Sequence, residues 1–103
     1  MSGLGKFDSF PRNRLARLPT PLEAMPSLTK ALGGPSLYVK RDDLTGLAFG
    51  GNKARQLEFY FGAAQAEGAD VALITGAVQS NFVRSAAAAA AKLGMDCHVQ
   101  LEE

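Results

Sequence analysis

The stretch "DVALITGAVQSNFVRSAAAAAAKLGMDCHVQL", residues 70–101, limits the fold more than any other part of the chain. Its opening run, "DVALIT" (70–75), reads as a short strand buried on both faces. A glycine turn leads into a helix over about 80–93, capped by Ser80 or Asn81 and stopped by Gly94. "CHVQL" (97–101) is the next strand. A helical crossover of this length joins parallel strands and is right-handed. Upstream, "LYVKR" (37–41) is rich in β-formers and reads as another strand. Between them lies a helix at about 52–67, where Leu57, Tyr60, Phe61 and Ala64 recur at i, i+3, i+4 and i+7 and Gly68 supplies the stop. The order β-α-β-α-β predicts an α/β fold built on a three-strand parallel sheet.

The first third of the chain is punctuated by Pro11, Pro19, Pro21, Pro26 and Pro35. This spacing predicts an extended segment at Leu18 to Leu22 and a short helix from about Pro26 to Leu32, ended by Gly33 or Gly34. "DDLTGLAFGG" (42–51) is a loop long enough to carry function. Ala86 to Ala91 favour a helix with a small-residue packing face. The chain of 103 residues suits one modest core. It ends directly after a strand, and a three-strand parallel sheet leaves an edge and helix faces uncovered, so the expectation is the front part of a larger domain.

Eleven basic residues against ten acidic ones give a net charge of +1 with no basic block, which argues against a nucleic-acid partner. A single cysteine, Cys97, excludes an internal disulfide framework and fits a reducing compartment. Cys97 and His98 have no ligand partners at metal-binding spacing, so no metal is expected. No apolar run reaches the length of a membrane span, and "MSGLGKFDSFPRNR" has no apolar core of a secretory signal. The expectation is a soluble, cytoplasmic protein without a membrane partner.

Chemistry concentrates at two junctions, "GLAFGGNKAR" before the first long helix and "TGAVQSNFVR" before the second. In open α/β sheets ligands bind beyond the carboxyl ends of strands, where such loops enter helices. If the strands before them are neighbours, both loops face one crevice. "GLAFGG" supplies the spaced glycines of a P-loop, but Asn52 intervenes before Lys53 and Ala54 stands where a hydroxyl is needed, which excludes an NTPase. Lys53 falls in the first turn of its helix, where the dipole opposes a cation by roughly 0.3–1 kcal/mol. Either it leans into solvent, or the placement favours the neutral amine, a nucleophile towards carbonyl compounds such as pyridoxal phosphate. Lys40 competes for that role, but "KRDD" is more simply a salt-paired group. Ser80 is an N-cap or a hydroxyl aimed at a ligand. Asn81 is a turn residue or a hydrogen-bond partner for a cofactor's aromatic hydroxyl. Arg84 reads as one half of a surface ion pair.

Taken together, "LPTPLE" (18–23), "VKRDDLTGLAFGGNKARQLEF" (39–59) and "TGAVQSNFVRSAAAAAAKLG" (75–94) resemble the 1-aminocyclopropane-1-carboxylate deaminase and D-cysteine desulfhydrase family of pyridoxal-phosphate enzymes, of the tryptophan-synthase-β fold type. The resemblance holds over nearly the whole chain in one register. It implies a parallel-sheet, three-layer α/β fold, with residues 1–51 contributing to the larger cofactor domain and 52–103 starting the smaller one. It implies pyridoxal 5'-phosphate as cofactor, with Lys53 as the Schiff-base lysine that moves protons at the substrate. Ser80 would sit beside the cofactor ring, assisting proton transfer or orienting a carboxylate. Asn81 would hydrogen-bond the ring's 3'-oxygen, and Asn52 and Gln79 would support the pocket. Many relatives carry a lysine at the place of Gln56 and a histidine at that of Phe82, which bears on phosphate anchoring and on substrate choice.

The opening "LGKFDSFPR" resembles the desulfhydrase and cysteate-lyase members, which implies α,β-elimination from a small amino acid with release of pyruvate, ammonia and a sulfur leaving group. Deamination of the cyclopropane amino acid is the alternative. The resemblance implies a homodimer at full length, and a segment of this size alone is expected to be inactive. A reading of another class is a non-catalytic α/β module that binds an anion at its helix N-termini or docks a partner.

Overall fold

In the computed structural model, which describes residues 5–103, the strands form two separate pairs. The elements in chain order are β1 (Leu22–Ala24), α1 (Pro26–Leu32), β2 (Tyr38–Lys40), α2 (Lys53–Ala66), β3 (Val71–Ala77), α3 (Asn81–Lys92) and β4 (Asp96–Glu102). Short 3-10 turns occupy Gly5–Ser9, Asp42–Leu44 and Leu47–Phe49. Met1 to Leu4 of the opening segment lie outside the described residues.

β3 and β4 run parallel, in register from Val71 opposite Asp96 to Ala77 opposite Glu102, with α3 as their crossover. This is the α/β unit that the spacing predicts. The expected third strand is a correction: β2 pairs antiparallel with β1, Leu22 opposite Lys40, and joins no sheet with β3. The proline-rich segment explains the exchange. α1 is one short helix, started by Pro26 and ended by Gly33 in the left-handed region at φ 67°, so it folds β2 back onto β1.

Leu57 and Phe61 of α2, Ala86, Ala89 and Ala90 of α3, and Leu15 from the N-terminal segment form the core. The small alanine face lets α3 lie close to α2 and the sheet, and Ala89 and Ala90 are fully buried. Ala72, Ile74 and Cys97 pack against this core from one face of the sheet. Its other face carries Val71 at 40% exposure and Leu73 at 80%. "DVALIT" is therefore covered on one face only among the described residues, because α2 and α3 both pack on the same side. Tyr60, expected in the buried stripe of α2, is exposed and stands edge-on to Phe82, with ring centroids 6.3 Å apart. A buried charge on α2 that the apolar pattern does not flag is Glu58, at 0% exposure.

Candidate functional site

The loop before α2 is built around Asp42. Its backbone carbonyl accepts from Gly51 N at 2.8 Å and from the Thr45 hydroxyl at 3.2 Å. The same hydroxyl, fully buried, lies 2.8 Å from the carbonyl of Gly51. These bonds close the loop at its far end. Ala48 and Phe49 both take positive φ, 48° and 72°, and Gly50 and Gly51 follow at 84° and 120°. Left-handed backbone at a bulky residue is an outlier that the surroundings must impose, at roughly 1–3 kcal/mol each. At Gly50 only glycine fits, because a Cβ there would collide with the Asp43 carbonyl oxygen. A strained, fastened turn thus delivers the chain to Lys53.

The Asp42 carboxylate holds the turn from the other side. Arg55 donates Nε to Oδ2 at 2.8 Å and Nη2 to Oδ1 at 3.0 Å, and the Thr20 hydroxyl donates to Oδ1 at 2.8 Å. Arg55 is two residues beyond Lys53, so this bidentate pair ties the first turn of α2 to the loop and to "LPTPLE". The pairing with Arg55 first, opposed by burial and helped by Thr20, lowers the Asp42 carboxyl from 3.8 to about 2. A group whose folded pKa is depressed stabilises the fold above its unfolded value and loses that contribution as pH falls through the folded one. Acidification from about pH 4 to about pH 2 is thus expected to release this clamp. Asp42→Asn should be less stable at neutral pH and lose less stability across that window, which urea unfolding at each pH would measure; an unchanged acid profile would refute it.

The "KRDD" group is paired in part as expected. Arg41 bridges Asp43 at 2.7 Å and Glu23 at 2.8 Å, across the β1–β2 ribbon. Lys40 instead donates to the Thr20 carbonyl at 2.6 Å.

Lys53 is the first residue of α2 and is half-buried. Among the described residues it has no salt-bridge partner. Asn52, at the N-cap position, makes no side-chain cap and is exposed, so its amide is available. Ser80 is the N-cap of α3: its Oγ accepts from Val83 N at 3.2 Å, which leaves its own hydrogen to donate. Gly76, at the end of β3, lets this turn sit close, since a Cβ there would come within 2.6 Å of Val83 Cγ2. Gln79 and Asn81 are exposed on the same turn. Phe82 lines an apolar hollow of about 370 Å³ between α2 and β3, with Leu57, Phe61 and Ile74.

The two junctions meet, although not by the route expected. The strand before the first is not a sheet neighbour of β3, so no shared strand edge aligns them. Arg84 does so instead. Its Nη2 donates to the Gly50 carbonyl at 3.2 Å and its Nη1 to Asn81 Oδ1 at 2.8 Å. The surface ion pair expected of Arg84 is absent among the described residues. No hydrogen bond joins Lys53 directly to Ser80 or Asn81 among the described residues. Spacing does not mark Arg55, Thr20 and Arg84 as site-building, since Asp42 and Gly50, which they join, lie a loop or an element away.

The sequence profile of the family described as pyridoxal-phosphate dependent enzyme matches residues 14–103. D-cysteine desulfhydrases of Salmonella paratyphi B and Salmonella newport are each 54% identical over 93 residues, covering 90% of this chain and 28% of theirs. The crystal structure of an ACC deaminase homologue superposes with a TM-score of 0.91 at 42% identity, covering 98% of this chain and 31% of that one. The chain therefore spans less than a third of the length of these relatives.

Proposed function

This chain belongs to the family of pyridoxal-phosphate dependent enzymes, and from that premise we propose that it is the front part of a lyase that performs α,β-elimination on a small amino acid. D-cysteine would yield pyruvate, ammonia and sulfide with uptake of one water, and L-cysteate would yield sulfite in place of sulfide. The observation that carries this reading is the meeting of the two junctions, where Arg84 links the turn of Lys53 to that of Ser80 and Asn81. The donor set fits pyridoxal phosphate: a lysine amine without a salt-bridge partner among the described residues, a serine hydrogen left over from capping, and amides on Asn52, Gln79 and Asn81.

Lys53 would hold the cofactor covalently through its amine and move a proton at the substrate's α or β carbon. Ser80 would donate its hydroxyl hydrogen to the substrate carboxylate or pass a proton. Asn81 would hydrogen-bond the ring oxygen, and Asn52 and Gln79 would line the pocket. When bound, pyridoxal phosphate supplies the electron sink for the bond that breaks. The clamp of Asp42 on Arg55 would keep the lysine turn in place, so that positioning is not repeated at each turnover.

The 54% identity to D-cysteine desulfhydrases supports elimination of a sulfur group. The likeness to an ACC deaminase homologue supports a second reading, deamination of 1-aminocyclopropane-1-carboxylate. The match to an enzyme family favours both over an anion-binding or docking module. We place the whole protein in the cytoplasm as a homodimer. We assign residues 1–51 to its larger cofactor domain and 52–103 to the start of the smaller one, a division supported by the separate β1–β2 and β3–β4 pairs. Hydrogen exchange that opens both segments together would argue against that division.

The test is borohydride reduction of the whole protein loaded with pyridoxal phosphate, followed by peptide mapping. Label at Lys53 is the expected result; label scattered over surface lysines, or none, would refute the lysine's role. Measuring pyruvate, ammonia, sulfide and sulfite from D-cysteine and L-cysteate, beside ammonia from 1-aminocyclopropane-1-carboxylate, decides the substrate.

A further inference from the structure

We infer that Arg84 is a positioning residue that sets which end of the Asn81 side chain faces the ligand and holds that side chain at a fixed place relative to the lysine turn. The inference rests on the function proposed above.

A guanidinium has only donors, so the Asn81 atom 2.8 Å from Arg84 Nη1 must be the amide oxygen. That bond uses the oxygen and leaves the Nδ2 hydrogens as the free, presented end. An amide without such a partner could turn either end towards a ligand oxygen, and half of those orientations would set oxygen against oxygen. Arg84 thus makes Asn81 a committed donor. Its second arm reaches the carbonyl of Gly50, 34 residues back in the chain. Gly50 is buried and cannot shift, because its conformation at φ 84° is fixed by Gly51 N bonding Asp42 and by its own N–H, which donates to the Leu47 carbonyl at 2.9 Å. Arg84 Nη2 also lies over Gly51, in ordinary contact distance of the position a Cβ there would take, 3.9 Å away. One rigid, planar fork therefore references the donor on α3 to the turn that leads into Lys53. Lysine could satisfy one of these acceptors but lacks the fork that spans both.

A hydrogen bond from Asn81 to the cofactor's ring oxygen would favour the ionised oxygen. The pH at which the absorbance band of lysine-bound cofactor changes therefore reports on the donor's placement, apart from turnover. In the whole protein, Arg84→Ala is expected to weaken pyridoxal-phosphate binding about tenfold, the scale of one hydrogen bond to a charged group. It should also displace the pH transition of the band in the same direction as Asn81→Ala. Arg84→Lys, which keeps charge and stem, should fall between wild type and Arg84→Ala. In an Asn81→Ala background the Arg84→Ala effect should largely vanish, because residues acting through one another are not additive.

Three results would overturn the inference. The first is a band and an affinity that Arg84→Ala leaves unchanged while wild type is still labelled at Lys53, which would spare the proposed function. The second is full additivity of the two substitutions, which would make Arg84 a structural brace only. The third is no label at Lys53 in wild type, which removes the proposed function together with the inference.

Discussion

Lys53→Ala in the whole protein is expected to abolish borohydride-fixed cofactor and to lower turnover by about 10²–10⁴-fold from lost proton transfer alone. Lys53→Arg is expected to fare no better, and that comparison carries the argument. If Lys53 were only an exposed first-turn cation, arginine would replace it with little effect. If its amine is the working group, arginine fails, since a guanidinium stays protonated and cannot serve as an amine nucleophile or base. The folding background should be quiet. Lys53 is half-buried and has no salt-bridge partner among the described residues, so truncation should change stability by no more than about 0.5 kcal/mol. Unchanged urea midpoints with lost labelling would place the defect in chemistry. Wild-type turnover by Lys53→Arg would refute the assignment.

Local pattern and long-range partnership were not equally legible in the sequence. The spacing of Leu57 and Phe61, the capping Ser80 and the glycines at 68 and 94 are local signals, and they fixed α2, α3, β3 and β4 to within a few residues. Strand pairing is not local. "LYVKR" reads as a strand wherever it pairs, and its partner was decided by how tightly α1 turns the chain back. The site shows the same division. Of the candidate residues, Lys53, Ser80 and Asn81 stand out by residue type at a loop-to-helix junction, and Asn52 and Gln79 join them through the family resemblance. Arg84 does not, because its meaning depends on Gly50, which is brought to it by the fold. Gly62 is a mid-helix glycine that costs about 1 kcal/mol relative to alanine. Its reason is visible only in three dimensions: a Cβ there would collide with the backbone of Pro11, which crosses α2 at that point.

That crossing sets up the largest stability effect expected. Glu58, at 0% exposure, lies beneath the N-terminal segment. Its Oε2 accepts from the backbone N–H groups of Leu15 and Ala16, each at 2.9 Å, and its Oε1 is paired with Arg12 at 2.6 Å. Arg12 also stacks over the Phe59 ring, 4.7 Å from its centroid. The carboxylate thus does for residues 12–16 what a neighbouring strand would do, satisfying backbone donors that have been taken out of water. Glu58→Ala would leave two backbone donors and the Arg12 guanidinium without their partner and open a hole beside Leu15. The expected loss is about 3–5 kcal/mol, the range for breaking one side of a buried ion pair. Glu58→Gln should cost less, since its oxygen can still serve both backbone donors, but its NH2 group then faces Arg12. Adding Arg12→Ala to Glu58→Gln should consequently cost less than Arg12→Ala does in wild type. Urea unfolding of the whole protein measures all four forms. A Glu58→Ala loss below about 1 kcal/mol, near the net worth of one ordinary hydrogen bond, would show that water replaces the carboxylate and that the segment is held by Leu15 packing alone.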